Sequence, residues 1–308
     1  MVRYFGLAKQ TGFGSPAAPN KFIDVMSASP GPTDELIFPQ SLGAREPTSW
    51  LPGQKYSEPE IETYIWPEGG TENVLHAFFQ NVTSTTLDAT NNVYQHEFRP
   101  AAFGTEPTYY TWEIGFDDVT ALRIPNVVVN SLTFTFSSDE PPTLSVSGVG
   151  GFPLTASLAT PSYPNIRPFI NSDTEARIGG SVVELQELTI ELNNNLERFH
   201  DLTAALKGID LTNLEVSGSF SARFRAPEHL NRFLGESETS LQVTLTGPVK
   251  AGSYNYKLVI ELPRIIYDAW ESEVSGGELL VENVDFRAVK PTTDDVVKVT
   301  LINGVSSI

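Results

Sequence analysis

A chain of 308 residues with 40% hydrophobic side chains has material for two ordinary cores, and its 23 glycines and 22 prolines suit short strands punctuated by turns. The absence of cysteine excludes a disulfide framework and a thiolate metal site, and no apolar run reaches the roughly 18 residues of a membrane-spanning helix. The formal charge of −18 opposes tight nucleic-acid binding, which needs clustered Lys and Arg; it is spread evenly, with 8 Lys+Arg against 17 Asp+Glu up to Pro168 and 12 against 21 beyond.

The N-terminus, Met1-Val-Arg-Tyr-Phe-Gly6, lacks the apolar run and cleavage site of a secretory signal. Residues 1–60 are loop-rich yet carry Phe13, Phe22, Ile23, Leu36, Ile37, Phe38, Trp50 and Leu51, which predicts short strands joined by long excursions rather than a flexible linker. A strand near Glu60–Trp66 closes on Pro67-Glu-Gly-Gly70, and Thr71 is a predicted N-cap for a helix over Glu72–Phe79. Clean period-2 alternation follows in Leu132/Phe134/Phe136 against Thr133/Thr135/Ser137. The Pro-rich stretch Ser157–Asp173 is the best boundary between two modules, 1–168 and 169–308. Alternation returns in Leu188/Ile190/Leu192 against Thr189/Glu191/Asn193, and in Val216/Gly218/Phe220/Ala222 against Ser217/Ser219/Ser221/Arg223. A second helix opens on Ala226-Pro227-Glu228, and Val297/Val299/Leu301 form one face of a last strand. Strands of this kind belong to half-buried antiparallel sheets with one apolar and one hydroxyl-rich face.

The chain also repeats itself. Ser131–Ser137 followed by Leu144–Gly148 resembles Glu187–Asn193 followed by Leu214–Gly218. Leu75, Phe78 and Phe79 recur as Leu230, Phe233 and Leu234, and the strand with Tyr110, Trp112, Ile114 and Phe116 matches Tyr256, Leu258, Ile260 and Leu262. The unit to explain is therefore a β-rich module of half the chain, each copy with a short helix.

Chemistry-bearing patterns are absent. His76, His96, His200 and His229 are scattered without metal-ligand spacing. Asp117-Asp118 and Asp294-Asp295 sit at strand ends as turn residues, without the surroundings of a glycosidase carboxylate pair. Gly148-Val-Gly-Gly151 lacks the Lys and following helix of a phosphate loop and reads as a turn. These observations predict a protein that builds or binds, with no catalytic residue, cofactor or metal.

The opening Tyr4-Phe-Gly-Leu-Ala-Lys-Gln-Thr-Gly-Phe-Gly-Ser-Pro16 resembles that of tail tube proteins from long-tailed bacteriophages and related archaeal viruses. Glu187–Glu197 with Leu214–Phe220, then Leu258–Pro263 and Lys298–Asn303, are similar to that family's central and last strands, in the same order. The resemblance implies two tandem β-sandwich or small-barrel modules, each with a flanking helix, whose sheet joins its neighbours around a ring. Rings stack into a virion tube that passes DNA without binding it specifically, assembled in the host cytoplasm. Two modules per chain imply a trimeric, pseudo-sixfold ring, with tail terminator, tape measure and distal tail proteins as further partners and no membrane contact.

On this reading Thr133, Thr135, Ser137, Thr189, Glu191, Asn193, Ser217, Ser219 and Ser221 line the lumen. Arg223 and Arg225 depart from that pattern and are expected to pair with acidic groups of the next ring. Trp50 and Leu51, with Tyr267 and Trp270 in an expected loop Tyr267–Gly277, either anchor contacts between subunits or rings or cover their own core. Two alternatives stay open. The inner tube of a contractile injection device is related in fold, and a neighbouring sheath gene favours it. A carbohydrate-binding virion module would bind glycans in isolation.

Overall fold

The computed structural model describes residues 2–40, 43, 45–273 and 280–308. The first half contains strands β1 (Val2–Lys9), β2 (Val25–Ser29) and β3 (Glu60–Tyr64), helix α1 (Thr71–Phe79), and the hairpin of β4 (Gln80–Asp88) and β5 (Val93–Pro100). It ends with β6 (Tyr110–Phe116), β7 (Thr120–Ser137) and β8 (Thr143–Val149). The second half contains β9 (Thr174–Ile178), β10 (Leu185–Asn193), β11 (Glu215–Arg223), α2 (Glu228–Leu234), β12 (Thr239–Ala251), β13 (Tyr254–Glu273), β14 (Val281–Ala288) and β15 (Lys298–Asn303). The fold is mainly β, with two helices and large antiparallel sheets.

One antiparallel sheet runs through both halves in the order β2-β3-β8-β7-β10-β11-β14-β13. The two longest strands each serve two layers. Residues 120–127 of β7 leave this sheet to pair with β6, which pairs in turn with β1. Residues 257–261 of β13 likewise lie between β12 and β15. The hairpin β4–β5 crosses halves, because β5 pairs with β15 (Phe98 opposite Val299). Pair by pair, the described strands never close into a barrel within one chain.

Alternation explains why the layers stack. Leu132, Phe134, Val146, Ile190 and Phe286 point from the long sheet, and Trp112, Ile114, Leu258 and Ile260 from the other layer, into one core where each is at most 2% exposed. Burying each such side chain contributes about 1.5–3 kcal/mol. Helix α1 packs beside β7, and all nine of its residues are buried. Its N-cap is Gly70, not Thr71, for a backbone reason: residue 70 sits at φ 123°, where a side chain is strained and a Cβ would meet Ile23 Cγ1 at 2.7 Å. Gly148 and Val149 end β8 rather than forming a turn.

The same pairing scheme occurs twice. Strand β2 shifts register against β3 between Val25 and Ser27, as β10 does against β11 between Leu185 and Glu187. A second bulge lies in β7 between Val129 and Ser131 and in β13 between Tyr267 and Ala269. A third lies between Ile124 and Val127 and again between Leu262 and Ile265, where partner residues 110–112 and 239–241 correspond. These coincidences equate β2, β3, β8 and the second half of β7 with β10, β11, β14 and the second half of β13. The strand matches expected from sequence are thereby corrected: 131–137 and 187–193 are hydrogen-bonded neighbours, not counterparts. Neighbouring strands that share one apolar face carry the same alternation, so they look like a repeat. For the same reason the counterpart of β6 is β12, not the strand beginning near Tyr256.

Candidate assembly face and sheet edges

The register brings all nine predicted lumen residues onto one face of three adjacent strands. Thr133 lies opposite Glu191, and Glu191 opposite Ser217; Thr135, Thr189 and Ser219 form the next row. Ser137 and Ser221 flank Glu187, and Asn193 sits opposite Ser131. Glu191 and Ser219 are exposed and the rest are half-buried. Their alternate neighbours Leu132, Phe134, Leu188, Ile190, Leu192, Val216 and Phe220 are buried, so a one-residue slip would turn the polar row into the core.

The face is wider than sequence reasoning placed it. On one side Glu60 and Glu62 lie opposite Ser147 and Ser145. On the other, Arg287, Asp285 and Asn283 lie opposite Ser217, Ser219 and Ser221, with Ala269 opposite Asp285 and Glu271 opposite Asn283. The signal was present, since Glu60-Ile-Glu62 and Asn283-Val-Asp-Phe-Arg287 alternate as cleanly as the chosen strands. The face thus carries Glu60, Glu62, Glu187, Glu191, Glu215, Glu271 and Asp285 against Arg223 and Arg287, and the Arg287 Nε donates to Asp268 Oδ2 at 2.7 Å. A shallow polar depression lies where Thr189, Glu191, Ser217, Ser219, Asp268 and Asp285 meet. Such a surface repels polyanions at any distance within the Debye length, about 8 Å at physiological salt.

At the centre, β7 and β10 form the seam between halves. Asn194 is buried and its Nδ2 donates to the carbonyls of Phe78 and Val129, tying the seam to α1. The hairpin Glu197–His200 with Leu206–Asp210 leaves β10 and lies on the first half. Ile209 is fully buried with Tyr109, Val128 and Val149, and the Arg198 guanidinium lies 3.5 Å over the Tyr56 ring while pairing with Glu58.

The proposed contact residues divide. Trp50 and Leu51 are 61% and 50% exposed on the excursion after β2. Tyr267 and Trp270 are not in a loop: residues 267–273 belong to β13, and 274–277 lie outside the described residues. Tyr267 is buried, and its hydroxyl lies 3.0 Å from His229 Nδ1, with burial pushing the phenol up and the imidazole down from their ordinary values. Trp270 packs on Phe224 and donates from Nε1 to buried Glu282 at 2.9 Å. Arg225 pairs with Glu184 of its own chain at 3.2 Å, and Arg223 closes β11 in an exposed position.

At both ends of the long sheet an edge is left over. No described strand pairs with the outer side of β2 or of residues 267–273 in β13. Among the described residues no group of three His, Cys, Asp or Glu side chains could hold a metal ion, and no helix is long and apolar enough to cross a membrane.

Comparison with curated proteins finds no match. The family model described as phage tail tube protein matches residues 2–288, nearly the whole chain. That family is structural and belongs to the virion tail. With a strand-dominated fold and an alternating, open-edged sheet along its length, the chain belongs to the phage tail tube protein family.

Proposed function

We propose that this protein polymerises into stacked rings that form the hollow tail tube through which viral DNA enters the host. The observation that carries the reading is the eight-strand sheet, polar and acidic on one face and unpaired at both edges. Pairing edge to edge between chains removes both exposed edges, the same end that a closed barrel reaches within one chain. Each chain supplies two similar four-strand units, divided near residue 168, so three chains fill six positions and close the ring.

The polar face then lines the lumen. Three chains of −18 each bring −54 to a ring, and on the face its carboxylates outnumber the cations Arg223 and Arg287, so DNA meets a net negative wall. Duplex DNA carries about one negative charge per 1.7 Å of axis, so the wall repels it and it slides. Self-association is the principal partnership, tail terminator, tape measure and distal tail proteins are further partners, and assembly takes place in the host cytoplasm. Electron microscopy of the concentrated full-length protein tests the reading. Hollow tubes of stacked rings support it; a protein that stays monomeric and is also absent from virion tails defeats it.

A further inference from the structure

The joint between two protomers is set out within one chain. Strand β2 is the counterpart of β10, and the second half of β13 is the counterpart of the second half of β7; in the chain, β10 and β7 are paired, while β2 and β13 are the two unpaired edges. We infer that the outer edge of β13 takes a second copy of this chain, whose β2 and following excursion bind in the register of the β7–β10 seam. The inference rests on the ring reading above and adds residue-level register to it.

The counterpart positions fix that register. Thr189 corresponds to Ser29, since they face Ser219 and Glu60 at equivalent points of β11 and β3. Asn193 corresponds to Thr33, because Asn193 faces Glu215 as Thr33 faces Tyr56. On the receiving side, Ser131 and Thr135 correspond to Ala269 and Glu273. The seam pairs Ser131–Asn193 and Thr135–Thr189 therefore translate into Ala269 opposite the second copy's residue 33, and Glu273 opposite its residue 29. These pairs are of the close type. Asn194 N donates to Asn130 O just outside the 131–193 pair, and Ser138 N donates to Gln186 O just outside the 137–187 pair, which marks non-hydrogen-bonded pairs with Cα atoms about 4.5 Å apart.

Exposure is complementary in the same sense. Counting back from the matched Glu60 and Ser219, Trp50 stands where Ile209 stands in the second half. Ile209 is fully buried across the seam, while Trp50, with Ile37, Phe38 and Leu51 around the Ile37–Leu51 bridge, is more than half exposed or nearly so. The helices complete the pattern. Phe79 ends α1 at 1% exposed beneath Asn194, Leu211 and Leu214 of the second half, whereas its sequence counterpart Leu234 ends α2 at 69% exposed. One chain thus carries an uncovered helix end at one edge and an unused apolar excursion at the other. A second copy supplies each to the other, which places Trp50 in contacts within a ring rather than between rings.

The chain has no cysteine, so introduced pairs are unambiguous. Ala269→Cys with Thr33→Cys, and separately Glu273→Cys with Ser29→Cys, would be made in the full chain, assembled at high concentration and oxidised. Ser131→Cys with Asn193→Cys provides the intrachain standard. The inference predicts covalent oligomers that end at one closed species in both edge variants, and none for the mis-registered Ala269→Cys with Ser29→Cys, whose Cα separation exceeds the 4.4–6.8 Å or so that a disulfide spans. Rings visible by electron microscopy whose edge pairs stay unlinked, while the seam standard links, overturn the register and leave the ring reading intact. No rings under any condition overturn both.

Discussion

Trp50 and Trp270 look alike in sequence, and the structure assigns them opposite effects on truncation. Trp50 is 61% exposed in the chain, so Trp50→Ala removes little from the fold and should shift unfolding by no more than about 0.5 kcal/mol. Its cost falls on assembly. Sixty-one per cent of the roughly 250 Å² that a Trp offers is about 150 Å², worth about 4 kcal/mol per joint at ~25 cal/mol/Å² if fully covered. That is close to three powers of ten in the association constant. Trp270→Ala instead opens space beside Phe224 and leaves the Glu282 carboxylate, 2% exposed, without its indole donor. Trp270 is half-buried, so the cost falls below the roughly 3–5 kcal/mol lost on truncating a fully buried Trp, yet well above that of Trp50→Ala. Urea unfolding would give the first quantity, and sedimentation across a concentration series the second. Assembly of Trp50→Ala at the parent's concentration, or equal loss of fold stability in the two variants, would refute this assignment.

Three further outcomes are expected. Gly218→Ala should lose roughly 1–3 kcal/mol in urea unfolding, because its Cβ would lie 2.2 Å from Thr189 O and 2.5 Å from the Phe286 ring; a neutral result contradicts the packing described. His76 is held down to about 4 from 6.5, by burial first and the Lys9 charge second. The folded state therefore favours the neutral ring, and its contribution is present above pH 6.5 and lost as pH falls toward 4, by at most about 3 kcal/mol. The buried Glu72 carboxyl, pushed up by burial, acts in the opposite sense, so the comparison is with His76→Gln, whose stability should fall less over that window; parallel pH profiles sink the assignment. Glu191→Lys places cations on the exposed centre of the polar face, and assembled tubes should then retain duplex DNA at low salt and release it as salt rises. Unchanged, negligible DNA retention would argue that this face is not the lumen.

Period-2 alternation made the polar and apolar faces legible before any coordinates, because one buried face forces it residue by residue. Thr133, Thr189 and Ser219 were placeable on one surface for that reason alone. Strand pairing was less legible. Leu132-Thr-Phe-Thr-Phe136 and Leu188-Thr-Ile-Glu-Leu192 share a pattern because they share a core, and the pattern does not distinguish a neighbour from a repeat. The actual repeat lies in bulge positions, which depend on which residues face each other across strands and leave no mark in composition. The loop expected over Tyr267–Gly277 is strand as far as residue 273, because pairing of 265–273 with 281–288 extends the strand past Trp270. Gly70 took the cap from Thr71 because close packing on Ile23 outweighs the preference for a hydroxyl at the helix start.

The claim that one chain fills two of six positions is tested most directly by the mass of a single ring. Native mass measurement on rings released from the assembled protein should give about 101 kDa, three chains of 33.7 kDa each. A ring of about 202 kDa, six chains, would leave a tube protein but contradict the idea that the two halves of the sheet are equivalent places in the ring.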